Sequence, residues 1–289
     1  MVARRTGAAL VALLSFGAGT ALAQGTFTVD DREYQVRPAT PTYLGDTGLF
    51  HLSSAYTLPK GKLSVSLFRD NLDRDPKDED ISIHGASLGF GASSRLELFG
   101  NFGIQNRVNA DALGQPGFVS DYPFVASPWQ TGVGDLKLGL KYKILDDYLG
   151  NAVGLALRGY VKIPTADERK GLGTGKVSSG GNLILSRSLG KVVDLHGSIG
   201  YEYNQDPDGI EIGNAFKWGV GVNFPCCSFF QFQAEVTGAS YSGADFEQTN
   251  PIDFVMGPFI WIKPGLFIRP ALSWNQGFDG RGLDSRCKC

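Results

Sequence analysis

Val133-Gly134-Asp135-Leu136-Lys137-Leu138-Gly139-Leu140-Lys141-Tyr142-Lys143-Ile144-Leu145 alternates without a break. Leu136, Leu138, Leu140, Tyr142 and Ile144 take one face, while Asp135, Lys137, Gly139, Lys141 and Lys143 take the other. Successive side chains of a strand point to opposite sides, so five consecutive matches to a period of two predict a strand with one apolar and one charged face.

The same pattern recurs outward from this stretch. Leu96, Leu98, Phe102 and Ile104 oppose Arg95, Glu97, Asn101 and Gln105. Leu195, Ile199, Tyr201 and Tyr203 oppose Asp194, His196, Ser198 and Glu202, and Phe216, Trp218 and Val220 oppose Lys217, Gly219 and Gly221. Similar runs cover 153–163, 230–237 and 266–275, with weaker ones at 49–56, 63–67, 81–90, 181–188 and 254–262. Together they predict about twelve strands, the first near Leu49. Parity changes around Gly85, which suggests a bulge there.

Connection length alternates too. Short links (58–61, 92–94, 146–151, 190–192, 225–228, 263–265) are interleaved with long polar ones (71–80, 106–130, 164–177, 205–211, 242–250). Short turns on one rim and long loops on the other are the pattern of outer-membrane barrels, the short turns lying in the periplasm. The apolar face is large and aromatic; the opposite face carries both signs of charge and many glycines. That suits a barrel with lipid outside and polar groups within, where a closed sheet satisfies every backbone group. The expected fold is therefore all-β: an antiparallel transmembrane β-barrel of about twelve strands. Trp129, Tyr203, Phe224, Phe229, Trp261 and Trp274 are placed to form interfacial girdles. A secreted β-sandwich with the same aromatics in its core is the competing architecture.

The ends fit export. Arg4 and Arg5, an apolar run from Gly7 to Thr20 and Ala21-Leu22-Ala23 give residues 1–23 the form of a signal peptide. Its removal leaves 25 basic residues against 29 acidic, a charge of −4 that argues against nucleic acid as a partner. Residues 24–46 read as an irregular lead-in, 47–276 as the barrel, and 277–289 as the start of an extracellular loop. A final aromatic-ended strand is missing from the pattern, so the sequence is expected to stop short of its last strand.

Asp135, Lys137, Lys141, Lys143, Arg158, Lys162, Asp194, Glu202, Lys217, Glu235 and Arg269 all fall on the inward face. They are the pore-lining candidates, either a charged lining that sets solute preference or a paired network that braces and fills the lumen. No catalytic, cofactor or metal residues are expected. Asp194, His196 and Ser198 share a face, but neighbours two apart along a strand are about 6.5–7 Å from one another, too far for a relay. Gly171-Leu172-Gly173-Thr174-Gly175-Lys176 lacks the spacing and following Ser/Thr of a phosphate loop and reads as a mobile extracellular loop. Cys226 and Cys227 lie at a short turn and Cys287 and Cys289 beyond the last strand, on opposite rims, so cross-pairing is not expected.

Gly132-Val133-Gly134-Asp135-Leu136-Lys137-Leu138-Gly139-Leu140-Lys141-Tyr142, followed by Lys162-Ile163-Pro164-Thr165-Ala166-Asp167, resembles the "GxGD…LGxKY…PT(G/A)D" pattern of the phenol meta-pathway transporter family of outer-membrane barrels. Thr47-Gly48-Leu49-Phe50 with Ala55 resembles barrels that carry an OmpA-type peptidoglycan-binding domain. The resemblance implies an outer-membrane channel for passive passage of small solutes, hydrophobic or aromatic ones among them. The alternative it implies is a structural OmpA-type anchor, which would reach peptidoglycan only through a domain absent from this chain. Outer-membrane lipid and small molecules are the expected partners; the oligomeric state is left open.

Overall fold

The computed structural model describes residues 8–16, 25–29, 32–36, 40–74, 79–110, 121–147, 151–190, 192–225, 229–242, 250–263 and 265–278. The strands are β1 (Ala8–Phe16), β2 (Gly25–Val29), β3 (Arg32–Val36), β4 (Leu63–Arg74), β5 (Glu79–Gly91), β6 (Leu96–Ala110), β7 (Gln130–Gly132), β8 (Leu136–Leu145), β9 (Gly154–Ile163), β10 (Ser178–Leu189), β11 (Val193–Asn204), β12 (Asn214–Phe224), β13 (Phe230–Ser242), β14 (Asn250–Lys263) and β15 (Leu266–Phe278).

Eleven of these, β4 to β6 and β8 to β15, pair antiparallel in sequence order, and β1 completes the ring between β15 and β4. β7 extends the upper rim beside residues 106–108 of β6. β2 and β3 make a separate hairpin in the stretch expected to be irregular. The apolar run expected as the heart of a signal peptide is, in the intact chain, the strand β1.

The alternation on β8 gives a strand that presents Leu138, Leu140 and Tyr142 outward, while Lys141 is fully buried within. The polarity is inverted all round the ring. Val220, Ile199, Tyr203 and Phe224 are half exposed on the outside, whereas Gln231, Gln233, Glu235 and Arg269 are at most 1% exposed inside. In water this arrangement would strand apolar surface outside and charge inside; in lipid both are favourable. Strands of 10–15 residues are long enough to cross the hydrocarbon layer at a tilt. The protein is thus a transmembrane β-barrel of the outer membrane, its long loops at one rim and its short turns at the other.

The change of parity at Gly85 is a register shift between His84 and Gly85 against β6. It leaves room for Phe68, whose ring lies where a Cβ on Gly85 would be, 2.4 Å from Cζ.

Two expectations are corrected. Residues 49–56 do not form the first strand; the segment 40–56 leaves the wall and folds up inside the barrel, with Leu49, Phe50, Leu52 and Ala55 at most 2% exposed. Trp261 is not in an outer girdle. Odd positions of β14 face inward, and Trp261 stacks with Phe259 and Phe267 at 5.0 and 5.3 Å in a buried cluster. The four cysteines lie outside the described residues.

Candidate functional site

The lumen is divided into a filled half and a hollow half. The filled half is the one nearer the short turns, occupied by residues 40–56, here called the plug. The plug folds on itself through backbone bonds such as Tyr43 N to Phe50 O and Ser54 N to Thr47 O, and barrel side chains take up backbone groups that these leave over. Glu235 on β13 accepts from three successive amides, Phe50 N at 3.1 Å, His51 N at 2.7 Å and Leu52 N at 3.1 Å. Arg269 on β15 donates to the carbonyls of Leu49 at 2.8 Å and Pro41 at 2.7 Å. Lys141 donates to Thr47 O at 2.7 Å, and Glu97 accepts from Thr47 N and Oγ1 at 3.0 and 2.9 Å. Ser186 accepts from Ala55 N at 2.9 Å, and its hydroxyl lies 2.8 Å from His196 Nδ1. His196 therefore helps to hold the plug and makes its contact across to β10, not along its own strand.

Charge is concentrated where plug meets wall. Lys141 lies 3.3 Å from Asp46 and 3.0 Å from Glu97, all three fully buried in side chain, and Arg158 Nε lies 3.7 Å from Asp46. Burial alone would raise the Asp46 carboxyl, but Arg158 and Lys141 outweigh it and hold it below the ordinary carboxylate value. Gly45 makes the close approach possible. Its φ of +102° suits glycine, and a Cβ there would sit 2.4 Å from Leu88 O in the wall.

Above the plug lies a cavity of about 260 Å³. Tyr43, His51 and Leu52 of the plug form its floor. Asp121 and Tyr122, from the long connection between β6 and β7, reach in from above. Asp121 is tied to Lys162 at 2.9 Å and Lys137 at 3.4 Å. Withdrawal from solvent would raise this carboxyl, yet Lys137, Lys162 and Lys217 together keep it well below the usual range. Tyr122 and Val125 pack with Leu172, Ile81 and Val108. The 171–174 stretch, expected to be mobile, is thus buried in this cap. On the wall, Lys217 pairs with Glu202 at 2.7 Å, and Tyr160 Oη donates a short hydrogen bond to the same carboxylate.

Of the eleven inward residues singled out by sequence, Lys137, Arg158 and Lys217 line the cavity. Lys162 and Glu202 stand behind it as partners of Asp121, Lys217 and Tyr160. Lys141, Glu235 and Arg269 grip the plug. Asp135 accepts from the amides of Thr165 and Ala166, fastening one loop to the rim, and Lys143 pairs with Asp146 at 2.6 Å by a turn. Asp194 is buried at 2% exposure. Sequence patterning did not single out Asp46, Asp121, Asn182 or Tyr43, because none of the four draws attention in a period-two pattern. Among the described residues no group of His, Cys, Asp and Glu is placed to hold a metal.

A family model described as "Putative MetA-pathway of phenol degradation" matches residues 50–276. No curated protein matches by sequence. Among solved structures, the COG4313 outer membrane channel from Pseudomonas putida F1 aligns at 11% identity and a TM-score of 0.48, covering 96% of this chain and 97% of that one. The CymD monoaromatic hydrocarbon channel aligns at 9% identity and a TM-score of 0.38, covering 95% and 89%. The architecture given above stands on the strand register itself. Because the matched stretch takes in the eleven sequential wall strands and the whole motif-bearing β8–β9 hairpin, the chain belongs to the family described as "Putative MetA-pathway of phenol degradation".

Proposed function

We propose that this protein is an outer-membrane channel for the passive passage of small solutes bearing an aromatic ring. The observation that carries the reading is the cavity between plug and cap: about 260 Å³ in volume, inside the barrel, lined by Tyr43, Tyr122 and Tyr160 as well as by lysine and arginine. A water-filled porin needs no such walls. A chamber with apolar rings and a few placed polar groups is the usual form of a small-molecule site. The family's description, which names phenol degradation, points to the same class of solute.

Export through a signal at residues 1–23 is part of the proposal. Removal of that segment would take β1 from the ring. β4 and β15 both pair antiparallel with β1, so they run in the same direction and would need a further strand between them to restore antiparallel pairing.

The test is uptake by cells that carry the protein in their outer membrane, compared with cells that lack it. Labelled phenol or toluene would be supplied at concentrations where the outer membrane limits entry. Uptake several-fold faster with the protein supports the channel; equal rates would overturn it.

A further inference from the structure

Two side chains on the cavity wall carry buried polar atoms with no hydrogen-bond partner among the described residues. Arg158 on β9 is 8% exposed, with its guanidinium over the rings of Phe99 and Tyr160 at 5.0 and 5.2 Å. Its Nε faces Asp46 at 3.7 Å, beyond hydrogen-bond distance, and neither Nε nor Nη2 has a hydrogen-bond partner among the described residues. Asn182 stands directly opposite on β10, and its Oδ1 also lacks a partner. Both side chains line the cavity. Paired residues on one face of a sheet have Cβ atoms about 4.5–5.5 Å apart, so the two polar ends border one small site.

A buried donor and a buried acceptor left side by side unpaired call for a third group between them. That group has to accept from Arg158 and donate to Asn182. The amide nitrogen of Asn182 is turned over Gly200, where an added Cβ would lie 2.2 Å from it, so the oxygen is the end left for the site. A hydroxyl can do both. A methyl group does neither, and a carboxylate accepts from Arg158 but sets its charge against the Asn182 oxygen. The surrounding wall supplies apolar surface for the rest of a solute, with Tyr43, Tyr160 and Leu72 around the same space.

We propose that Arg158 and Asn182 form a specificity site that selects solutes carrying a hydroxyl on an aromatic ring over alkyl-substituted rings and over aromatic carboxylates. The proposal rests on the chamber being the solute site. Arg158 also faces Asp46, so one side chain adjoins both solute site and plug.

Isothermal titration of the purified full chain in detergent with phenol, toluene and benzoate tests it. Phenol should bind about tenfold or more tighter than toluene, as expected for a site built around hydrogen bonds that the analogue cannot make. Arg158→Met should abolish the preference, phenol and toluene then binding alike. Arg158 also touches the plug, so Asn182→Leu serves as the second variant and should remove most of the preference with the plug contacts intact. Equal binding of phenol and toluene by the wild type would mean that water serves the pair, and would overturn the proposal while leaving the chamber reading standing. Tightest binding of benzoate would overturn it in favour of an anion site, and retention of the preference in both variants would overturn the assignment of these residues. Binding of none of the three would remove the proposal and the chamber reading together.

Discussion

Arg269 Nη2 donates to the carbonyl oxygen of Pro41 over 2.7 Å, joining a wall strand to a plug segment 228 residues away in sequence. Its Nη1 holds Leu49 O at 2.8 Å, and the side chain is wholly buried with its guanidinium over the ring of Phe50 at 4.7 Å. Arg269→Met leaves these carbonyls unmet and Glu235 without its cationic neighbour. Losing one member of a buried charged cluster costs about 3–5 kcal/mol. In planar bilayers the variant should show ion-conducting steps of long duration that the wild type lacks. Persistent silence would show that the remaining contacts hold the plug unaided.

Glu235 is the second grip. Glu235→Gln keeps the shape but turns one of two accepting oxygens into a donor facing the amides of Phe50, His51 and Leu52. The loss should be about 1–3 kcal/mol of local stability. Hydrogen exchange read by mass spectrometry should then speed up across 50–52 while β13 itself stays protected. Unchanged exchange at those amides would sink the idea that one carboxylate secures this turn.

The wall was legible in the sequence and the plug was not, for a physical reason. A strand in lipid must alternate, so Leu138, Leu140 and Tyr142 against Lys137 and Lys141 announce both element and orientation. Leu49, Phe50 and Leu52 look equally apolar, and nothing local distinguishes a strand from a coil whose amides are capped by side chains. Those partners, Glu97, Ser186, Glu235 and Arg269, lie 50 to 220 residues later. The inward charges were found on the correct face for the same reason the strands were. Their division into plug holders and chamber wall depends on depth in the barrel and on Asp46 and Asp121, which belong to no strand.

Asp121 gives the cap a defined response to pH. Its carboxyl is held well below 3.8 by Lys137, Lys162 and Lys217 despite partial withdrawal from water. A depressed carboxyl contributes stability fully above its unfolded value and loses it as pH falls through the folded one. Entry of solute should therefore be insensitive to pH from 8 to about 4 as far as this tie is concerned. Asp121→Asn should raise the permeation rate in reconstituted vesicles at neutral pH, because both lysines lose their anionic partner. A rate equal to wild type would show that Tyr122 and Leu172 hold the cap by packing alone.

Val220 tests the membrane assignment independently of any solute. It is 57% exposed at the middle of β12 on the outer face. Val220→Arg would be close to neutral on a protein surrounded by water. On a wall facing lipid it should cost about 2–4 kcal/mol in a folding titration in vesicles, with less penalty nearer the rims. A change within experimental error would place this face outside the hydrocarbon layer.

The reach of the plug's bonds also dictates the order in which the molecule can be made. Thr47 bonds a residue 50 positions on, Ala55 one 131 on, Phe50 one 185 on and Leu49 one 220 on. Each long loop must be closed before such a contact can repay its entropy, and the strands that carry the partners close those loops themselves. The segment therefore cannot settle into a half-built ring. It seats when β6, β10, β13 and β15 stand at their final distances. The plug thus doubles as a gauge of completed assembly.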